Sequence, residues 1–291
     1  MELPGFIHGM WRLNDWNFTN KELLNFIEEI LDLGISTFDH ADIYGDYTCE
    51  SVFGNALKEK PILRHKMNII TKCGIKLLSE KYPERSIKVY DYSYKHIVLS
   101  AENSLKNLNT DFIDLLLLHR PSPMMNTDEV ARAFSKLHGD GKVLNFGVSN
   151  FNPLQFELLN SVLDTKLVAN QVEISPFNLE HFDNGNMEFF QKEKIIPMSW
   201  SPLAGGKIFN PTTNHELNLT NTIKDIGKEL GTDKIDQVVL AWLLAHPSGI
   251  IPVLGSGKID RIKSAVESSN YKMNLEQWFK IYTAATASEL P

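Results

Sequence analysis

The sequence alternates eight times between a short apolar run typical of a strand and a longer amphipathic run typical of a helix. The strand-like runs are nearly continuous apolar stretches, as expected of strands that are buried on both faces. They cover Phe6–Trp11, Ser36–Asp39, Asn68–Lys72, Phe112–His119, Asn145–Ser149, Val168–Glu173, Ile195–Ser199 and Gly249–Leu254. This alternation predicts parallel strands, because each helix returns the chain to the edge from which it left.

The runs between the strands carry helix signals at their ends. The first has its apolar residues on one stripe and stops at Gly34, and another opens with Pro153 at its first helical position. The predicted helices cover Lys21–Leu33, His96–Leu108, Thr127–Leu137, Pro153–Leu163, Asn186–Lys194, Thr220–Leu230, Asp236–Ala245 and Ile259–Ser268. Each apolar stripe is expected to pack against the strands.

Eight βα units predict an α/β fold, a single (β/α)8 TIM barrel that forms one domain over residues 1–291. The 43% of apolar and 22% of charged residues are typical of a globular protein, and no linker or internal repeat divides the chain. An open, doubly wound parallel sheet is the alternative that the alternation by itself leaves open.

Charge and composition argue against several classes of partner. The net charge of −7 disfavours nucleic acid and anionic membranes, since both are bound through cationic surfaces. No run approaches the roughly 20 apolar residues of a membrane-spanning helix, and residues 1–10 are not expected to act as a signal peptide. Cys49 and Cys73 have no CxxC spacing, which indicates a reducing compartment. We therefore expect a cytoplasmic location.

Polar residues follow three successive predicted strands at the end where barrels carry their active sites. Asp39 ends the second strand, Lys72 the third and His119 the fourth, and Tyr44 lies in the loop after Asp39. Singly, each has an ordinary structural explanation, such as an ion pair or a buried histidine. Together, they place a carboxylate, an ammonium, an imidazole and a phenol at one mouth of the barrel.

That combination suits the reduction of a carbonyl group. A phenol is a weak acid, and a neighbouring lysine charge lowers its pKa by favouring the phenolate. Tyr44 is therefore the candidate general acid, Lys72 tunes its pKa, and Asp39 holds the lysine charged and oriented. His119 would orient the carbonyl by a hydrogen bond that strengthens as negative charge develops on oxygen.

Other chemistries find less support in the sequence. No GxGxxG motif follows an early strand, and Gly257 and Lys258 lack the rest of a phosphate-binding P-loop. No HxH, HExxH or CxxC motif is present, so no metal is expected. A metal-dependent hydrolase that uses His8, His119 and Asp39 as ligands is kept as an alternative.

Several motifs in matching order resemble the aldo-keto reductase family along nearly the whole chain. They lie at Phe38–Gly45, Thr71–Lys72, Leu117–Pro121, Gly147–Phe151, Asn170–Glu173, Trp200–Ala204 and Ile251–Ser256. The opening Gly9–Leu13 is similar to a bacterial subgroup of general aldo/keto oxidoreductases. The resemblance implies that Asp39, Tyr44, Lys72 and His119 form the catalytic tetrad of the family.

The resemblance also implies a site for NADP(H). Ser149, Asn150 and Gln171 match positions that bind the nicotinamide carboxamide. Trp200 matches the aromatic residue that stacks on the ring, usually Tyr or Phe in relatives, and Ser201 and Leu203 match contacts to the pyrophosphate.

A loop and helix start near the C-terminus suit a phosphate group. Backbone N–H groups at the start of a helix bind anions, and Lys258 or Arg261 would add charge. The resemblance implies that Gly255, Ser256, Lys258 and Arg261 hold the 2′-phosphate of NADPH. Gly255 stands where many relatives have Lys, so this recognition depends mainly on Arg261.

We therefore predict NADPH-dependent reduction of a small-molecule aldehyde or ketone. Substrate contacts are assigned to Trp11, Trp16 and Tyr47, aromatic residues that favour a medium-sized apolar or aromatic carbonyl compound. The alternative is a cofactor-binding regulatory subunit similar to the β subunits of potassium channels. No oligomeric state is predicted.

Overall fold

The computed structural model describes residues 5–289. Among these residues, eight parallel strands close into a barrel in the order β1-β10-β9-β8-β7-β6-β3-β2, and β4 and β5 form a separate antiparallel pair. The strands are β1 (Ile7–Gly9), β2 (Thr37–Asp39), β3 (Asn68–Cys73), β4 (Ile75–Lys76), β5 (Val89–Tyr90), β6 (Ile113–Leu118), β7 (Val143–Ser149), β8 (Leu167–Glu173), β9 (Ile196–Trp200) and β10 (Ile251–Leu254). The predicted barrel is confirmed, and its closure rules out the open sheet.

Helices connect the strands of the barrel. Within residues 5–289 they are α1 (Asn20–Asp32), α2 (Tyr44–Tyr47), α3 (Cys49–Glu59), α4 (Tyr94–Leu108), α5 (Thr127–Gly139), α6 (Pro153–Asn160), α7 (Glu180–Asp183), α8 (Asn186–Glu193), α9 (Asn214–Leu230), α10 (Ile235–Leu244), α11 (Ile259–Glu267) and α12 (Leu275–Thr286). None of the described helices is long and apolar enough to cross a membrane.

Local signals explain most of the boundaries. Thr19 and Glu22 form a capping box at the start of α1, as Asn152 and Gln155 do at α6. The sequence predicts the start of α9 at Thr220, but the helix begins at Asn214, because Thr213 and Glu216 form a capping box before the apolar stripe. Helices α3 and α12 were missed, although both have an apolar face.

Four predicted strands are shorter in the structure, and the first and the last lose two residues at one end. Prediction placed the first at Phe6–Trp11, but β1 ends at Gly9 and the chain turns into the 3-10 helix Leu13–Trp16. The last was predicted from Gly249, whose φ of +70° lies outside the strand region, and β10 begins at Ile251.

The chain divides into two compact units, a first that ends at Asn170 and a second that begins at Gln171. The first has the apolar side chains of β6 at its centre, and residues 115–118 are completely buried. In the second, Trp242 stacks on Trp278 with ring centroids 5.1 Å apart. The single domain over residues 1–291 stays a prediction, and residues 1–4 and 290–291 lie outside the described residues.

Strand register in the first unit brings the predicted catalytic residues to one end of three neighbouring strands. Asp39 is paired with Ile70 across β2 and β3, and Lys72 with Leu117 across β3 and β6. The main-chain nitrogen of His119 continues this pairing by donating to the oxygen of Cys73 at 3.0 Å. The carboxyl ends of β2, β3 and β6 therefore carry the candidate site, as in other parallel barrels.

Candidate active site

Lys72 is the centre of a buried polar cluster at the carboxyl ends of β2 and β3. Its ammonium donates to both carboxylate oxygens of Asp39 at 2.7 Å and to the main-chain oxygen of His40 at 2.8 Å. It also contacts the hydroxyl oxygen of Tyr44 at 3.0 Å. Only 1% of Lys72 and 2% of Asp39 is exposed. Three of the four predicted catalytic residues are thus in direct contact.

His119 approaches the same phenol from β6. Its ring meets the ring of Tyr44 edge-on, with centroids 6.0 Å apart and planes at 78°. Its Nδ1 is buried and has no hydrogen-bond partner within residues 5–289. Burial, together with the positive charges of Lys72 and Arg120, holds the pKa of His119 well below its usual value. A neutral imidazole can donate a hydrogen bond to a carbonyl oxygen without carrying charge itself.

Burial and charge act in opposite directions on the pKa of Tyr44. Burial raises it and the charge of Lys72 lowers it, and the net pKa lies above the ordinary value. The effect that the sequence predicts for Lys72, a lowering of the pKa of Tyr44, agrees with the direction in which its charge acts. Burial, a tertiary property that the sequence analysis did not include, outweighs it. A raised pKa keeps the hydroxyl protonated at neutral pH, as a proton donor requires.

Lys72 remains charged despite its burial. Burial lowers its pKa, but the negative charge of Asp39 and the interaction with Tyr44 raise it by more, so the net pKa is above the ordinary value. The role that the sequence assigns to Asp39, keeping the lysine charged and oriented, agrees with this direction.

Asp42 is a half-buried residue near Tyr44 whose carboxyl group the sequence analysis did not single out. Its Oδ2 accepts from the hydroxyl of Ser100 on α4 at 2.6 Å, and its Oδ1 is buried without a partner in the described part of the chain. Burial raises the pKa of Asp42 to about 8. The position of Asp42, two residues before Tyr44, could have marked it as part of the site. Its burial could not be predicted, because it depends on packing against α4.

The cofactor residues predicted in the first unit lie at the end of β7. Ser149 is 1% exposed and is the last residue of the strand. The amide nitrogen of Asn150 donates to the hydroxyl of Ser149 at 2.7 Å, and Asn150 has a left-handed φ of +61°. These two polar side chains therefore lie next to each other at the carboxyl end of their strand.

The second unit carries the other predicted cofactor residues at strand ends and in the loops that follow. Gln171 lies in β8 and is 2% exposed, whereas Trp200 ends β9 and is half-buried. Ser201 takes a φ of +50°, and its main-chain oxygen accepts from the nitrogen of Ala204 at 2.8 Å. Leu203 lies within this turn and is half-buried.

The predicted phosphate site lies where β10 leads into α11. Lys258 is at the N-cap position of α11, and no side chain of the described residues caps this helix. The main-chain nitrogen of Lys258 donates to the hydroxyl of Ser256 at 3.2 Å. Arg261 is exposed one turn into α11. A Cβ added at Gly255 would meet no atom within 4 Å. An uncapped helix start beside two cations and open space fits a phosphate group.

The three predicted substrate residues have different surroundings. Trp11 follows β1 and is 61% exposed. Tyr47 is half-buried at the end of the turn that begins with Tyr44. Trp16 instead packs edge-on against Phe26 of α1, with ring centroids 5.5 Å apart, and against His8 at 5.7 Å. Trp11 and Tyr47 are therefore the better candidates for contact with a substrate.

His8, which the metal alternative requires, is completely buried. Its ring lies 5.4 Å from that of Phe26. Within residues 5–289 no three His, Cys, Asp or Glu side chains form a group that could hold a metal ion.

Comparison with known proteins identifies the family of the chain. Residues 6–285 match the sequence model of the aldo/keto reductase family. The chain is 48% identical over 291 residues to an uncharacterized oxidoreductase, YcsN, of Bacillus subtilis, covering 100% of this chain and 97% of that protein. It is 40% identical over 291 residues to the 6-dehydroglucose reductase of Agrobacterium fabrum, covering 100% and 97% of the two chains.

A solved structure supports the fold. The thermostable aldo-keto reductase Tm1743, crystallised with the inhibitor epalrestat, superposes with a TM-score of 0.80 at 23% identity. The match covers 98% of this chain and 96% of that one. At this identity the likeness concerns the arrangement of strands and helices.

Proposed function

This chain belongs to the aldo/keto reductase family and is an oxidoreductase, and from that premise we propose that it reduces aldehydes or ketones with NADPH. The observation that carries the proposal is the chain of contacts from Asp39 through Lys72 to the hydroxyl of Tyr44. It supplies a protonated phenol beside a fixed positive charge. That is the arrangement needed to protonate a carbonyl oxygen.

Each member of the tetrad has a separate role. Tyr44 donates its proton to the carbonyl oxygen, and Lys72 stabilises the phenolate that is left. Asp39 fixes the position of the ammonium through two hydrogen bonds of 2.7 Å. His119, neutral because of its lowered pKa, donates a hydrogen bond to the same carbonyl oxygen and orients it. Run in reverse, the same groups would oxidise an alcohol.

NADPH, when bound, supplies the hydride that reaches the carbonyl carbon. In the second unit, we assign the nicotinamide ring to Trp200 and the pyrophosphate to Ser201 and Leu203. The assignment of Ser149, Asn150 and Gln171 to the carboxamide stays a prediction. The uncapped start of α11 supports an assignment of the 2′-phosphate to Ser256, Lys258 and Arg261.

The decisive experiment measures NADPH oxidation by the purified protein against a panel of carbonyl compounds. The panel should contain aromatic aldehydes, which the exposed Trp11 favours, and 6-dehydroglucose, the compound named for the Agrobacterium relative. Turnover of any member supports the proposal. Tight NADPH binding without turnover of the whole panel would instead favour the regulatory subunit.

Cofactor choice is tested by titrating NADPH and NADH against the wild-type protein and Arg261→Ala. A charge-assisted hydrogen bond from Arg261 would favour NADPH by about 1.5–3 kcal/mol, or roughly 10- to 150-fold. Arg261→Ala should remove most of that preference. Gly255→Lys is the matched gain-of-charge variant, because a side chain at Gly255 would meet no atom within 4 Å. Equal wild-type affinities for the two cofactors would refute the preference.

We also propose a cytoplasmic location. Both cysteines, Cys49 and Cys73, are buried free thiols. Free thiols of this kind are typical of proteins in reducing compartments.

A further inference from the structure

The turn that follows Tyr44 has an unfavourable backbone conformation. Gly45, Asp46 and Tyr47 have φ angles of +57°, +51° and +63°, all in the left-handed region. Glycine adopts this region freely and aspartate tolerates it, but a bulky aromatic residue such as Tyr47 rarely does. Contacts from elsewhere in the protein must therefore hold this turn in place.

One such contact is made by the hydroxyl of Tyr47, which accepts two hydrogen bonds from the loop between β3 and α4. The main-chain nitrogen of Leu77 donates to it at 2.9 Å and Nη1 of Arg85 at 2.7 Å. Nη1 of Arg85 also donates to the main-chain oxygen of Leu77 at 3.2 Å. Arg85 thus ties the end of the turn to the loop that crosses beside it.

Aromatic packing fixes the guanidinium in that position. Cζ of Arg85 lies 3.6 Å from the ring centroid of Tyr82, and the ring of Tyr82 meets that of Tyr47 edge-on at 4.9 Å. The side chain of Arg85 is only 14% exposed. A second cation from the same loop, Lys81, donates to the main-chain oxygen of Asp46 at 2.7 Å. The contacts converge on the turn itself.

The loop that carries Arg85 is anchored at its base. Strands β4 and β5 pair Ile75 with Tyr90, and the nitrogen of Asp91 donates to the oxygen of Gly74 at 2.8 Å. Gly74 has a φ of +104°, and an added Cβ would lie 1.9 Å from an atom of the ring of Tyr92. A loop fixed in this way can hold the turn.

We propose that Arg85 is a positioning residue: by binding the hydroxyl of Tyr47, it holds the turn 45–47 in its left-handed conformation and thereby keeps Tyr44 against Lys72. The inference rests on the proposed role of Tyr44 as general acid. It concerns the placement of the acid, since Arg85 binds Tyr47, which lies three residues along the chain from Tyr44. Loss of the contact should move the hydroxyl of Tyr44 away from its 3.0 Å contact with Lys72.

The experiment compares Arg85→Met, Tyr47→Phe and the double variant with the wild type. Because small misplacements of a catalytic group slow chemistry strongly, we expect each single variant to lower kcat by roughly 10- to 100-fold. The affinity for NADPH, measured by titration without turnover, should remain within twofold of the wild type. The double variant should be no slower than the slower single variant, because both changes remove one shared contact.

The pH profile separates positioning from a merely structural role. Lys72 lowers the pKa of Tyr44, so a phenol that has moved away from Lys72 keeps its proton to higher pH. In Arg85→Met the alkaline limb of the kcat profile should therefore shift upward. Arg85→Lys keeps one hydrogen-bond donor for the hydroxyl of Tyr47. This variant should recover part of the rate, and the alkaline limb of its kcat profile should lie closer to that of the wild type.

Arg132→Met is the matched control. Arg132 also lies over a tyrosine ring, that of Tyr94 at 5.3 Å, and pairs with a glutamate, but it belongs to α5. A wild-type rate and pH profile in both Arg85→Met and Tyr47→Phe would overturn the proposal, as would an equal loss of kcat in Arg132→Met. A wild-type protein without any turnover would overturn the proposed function and this inference with it. Should Arg85→Met fail to fold, Tyr47→Phe decides by the same readouts.

Discussion

Two buried ion pairs lie toward opposite ends of β3, and they differ in where their remaining hydrogen bonds go. Both join a cation to a carboxylate at 2.7 Å, Lys72 to Asp39 at the carboxyl end and Arg64 to Asp114 at the amino end. Arg64 directs its other donors to Thr110 and to the main-chain oxygens of residues 67 and 112, while Asp114 accepts from the nitrogen of Ile69. Lys72, in contrast, donates a hydrogen bond to the side chain of Tyr44.

Under the proposed function, the difference separates a structural pair from a catalytic one. The bonds of Arg64 connect the segments that lead into β3 and β6, so the ion pair cannot change its partner or its charge without loss of structure. In the proposed mechanism, Lys72 faces a phenol whose charge changes during the reaction, and its hydrogen bond strengthens when phenolate forms. In parallel barrels the carboxyl face carries catalysis and the amino face stability, and the roles that we propose for the two ion pairs follow that division.

The largest effect is expected from Tyr44→Phe, which removes only the hydroxyl that Lys72 contacts. General acids contribute about 10²- to 10⁴-fold, so kcat should fall by that factor while NADPH affinity and thermal stability change little. Steady-state NADPH oxidation, cofactor titration and thermal unfolding measure the three quantities. A variant that keeps more than half of the wild-type rate in the chemical step would remove Tyr44 from its role.

Arg64→Met should affect stability rather than chemistry. It leaves Asp114 buried without its cation, and breaking a buried pair in this way costs about 3–5 kcal/mol of unfolding free energy. The kcat of the folded fraction should remain within twofold of the wild type. Urea unfolding measures the free energy of unfolding, and the carbonyl assay measures kcat. A large loss of kcat at full folding would show that the two ends of β3 do not divide their roles.

Lys72→Met should slow the reaction and move its pH dependence. The lost hydrogen bond to a charged group corresponds to about 1.5–3 kcal/mol, or roughly 10- to 150-fold in rate. The pKa of Tyr44 should rise further without the lysine charge, so the residual rate should persist to higher pH. An unchanged pH–rate profile would contradict the coupling of Lys72 to Tyr44.

The variant Asp39→Asn, Lys72→Met is the control for this prediction. It removes both charges, so no unpaired charge remains buried. Lys72→Met alone should lower the free energy of unfolding more than the double variant does. The rate of the double variant should stay low. Recovery of the rate would show that the single variant was slow because it was unstable.

The smallest effect concerns Asp42, whose carboxyl accepts hydrogen bonds from the hydroxyl of Ser100 and from the main chain of Ile43. Its pKa of about 8 means that the folded state retains a proton that the unfolded state releases near pH 4. This contribution to stability is complete below pH 4 and is lost as the pH rises toward 8. Between pH 5 and pH 8 the wild type should lose more than about 1.4 kcal/mol relative to Asp42→Asn.

Denaturant unfolding of both proteins at several pH values measures this difference. Ser100→Ala is a useful companion variant, because it removes the hydroxyl that donates to Asp42 at 2.6 Å. A difference between wild type and Asp42→Asn that does not vary with pH would contradict the raised pKa.

Much of the barrel could be predicted because its signals are local. The β6 run at residues 113–118 is apolar except for Asp114, and the burial of all six residues agrees with that pattern. Asp39, Lys72 and His119 were identifiable since each stands at the end of such a run. The start of α9 was misplaced because the Thr213–Glu216 box precedes the apolar periodicity, and α3 was missed between Tyr44 and β3.

The sequence by itself determined which residues reach the carboxyl end of the barrel. The spacing of apolar side chains predicts where each strand ends, and the alternation of strands and helices predicts that the strands are parallel. Only the tertiary structure decided how those residues behave. Burial raises the pKa of Tyr44 and also that of Asp42, which packs against α4. The turn 45–47 depends on Arg85, which lies 38 positions along the chain from Tyr47. Desolvation and contacts between distant segments arise from packing in three dimensions, so the spacing of residues along the chain does not record them.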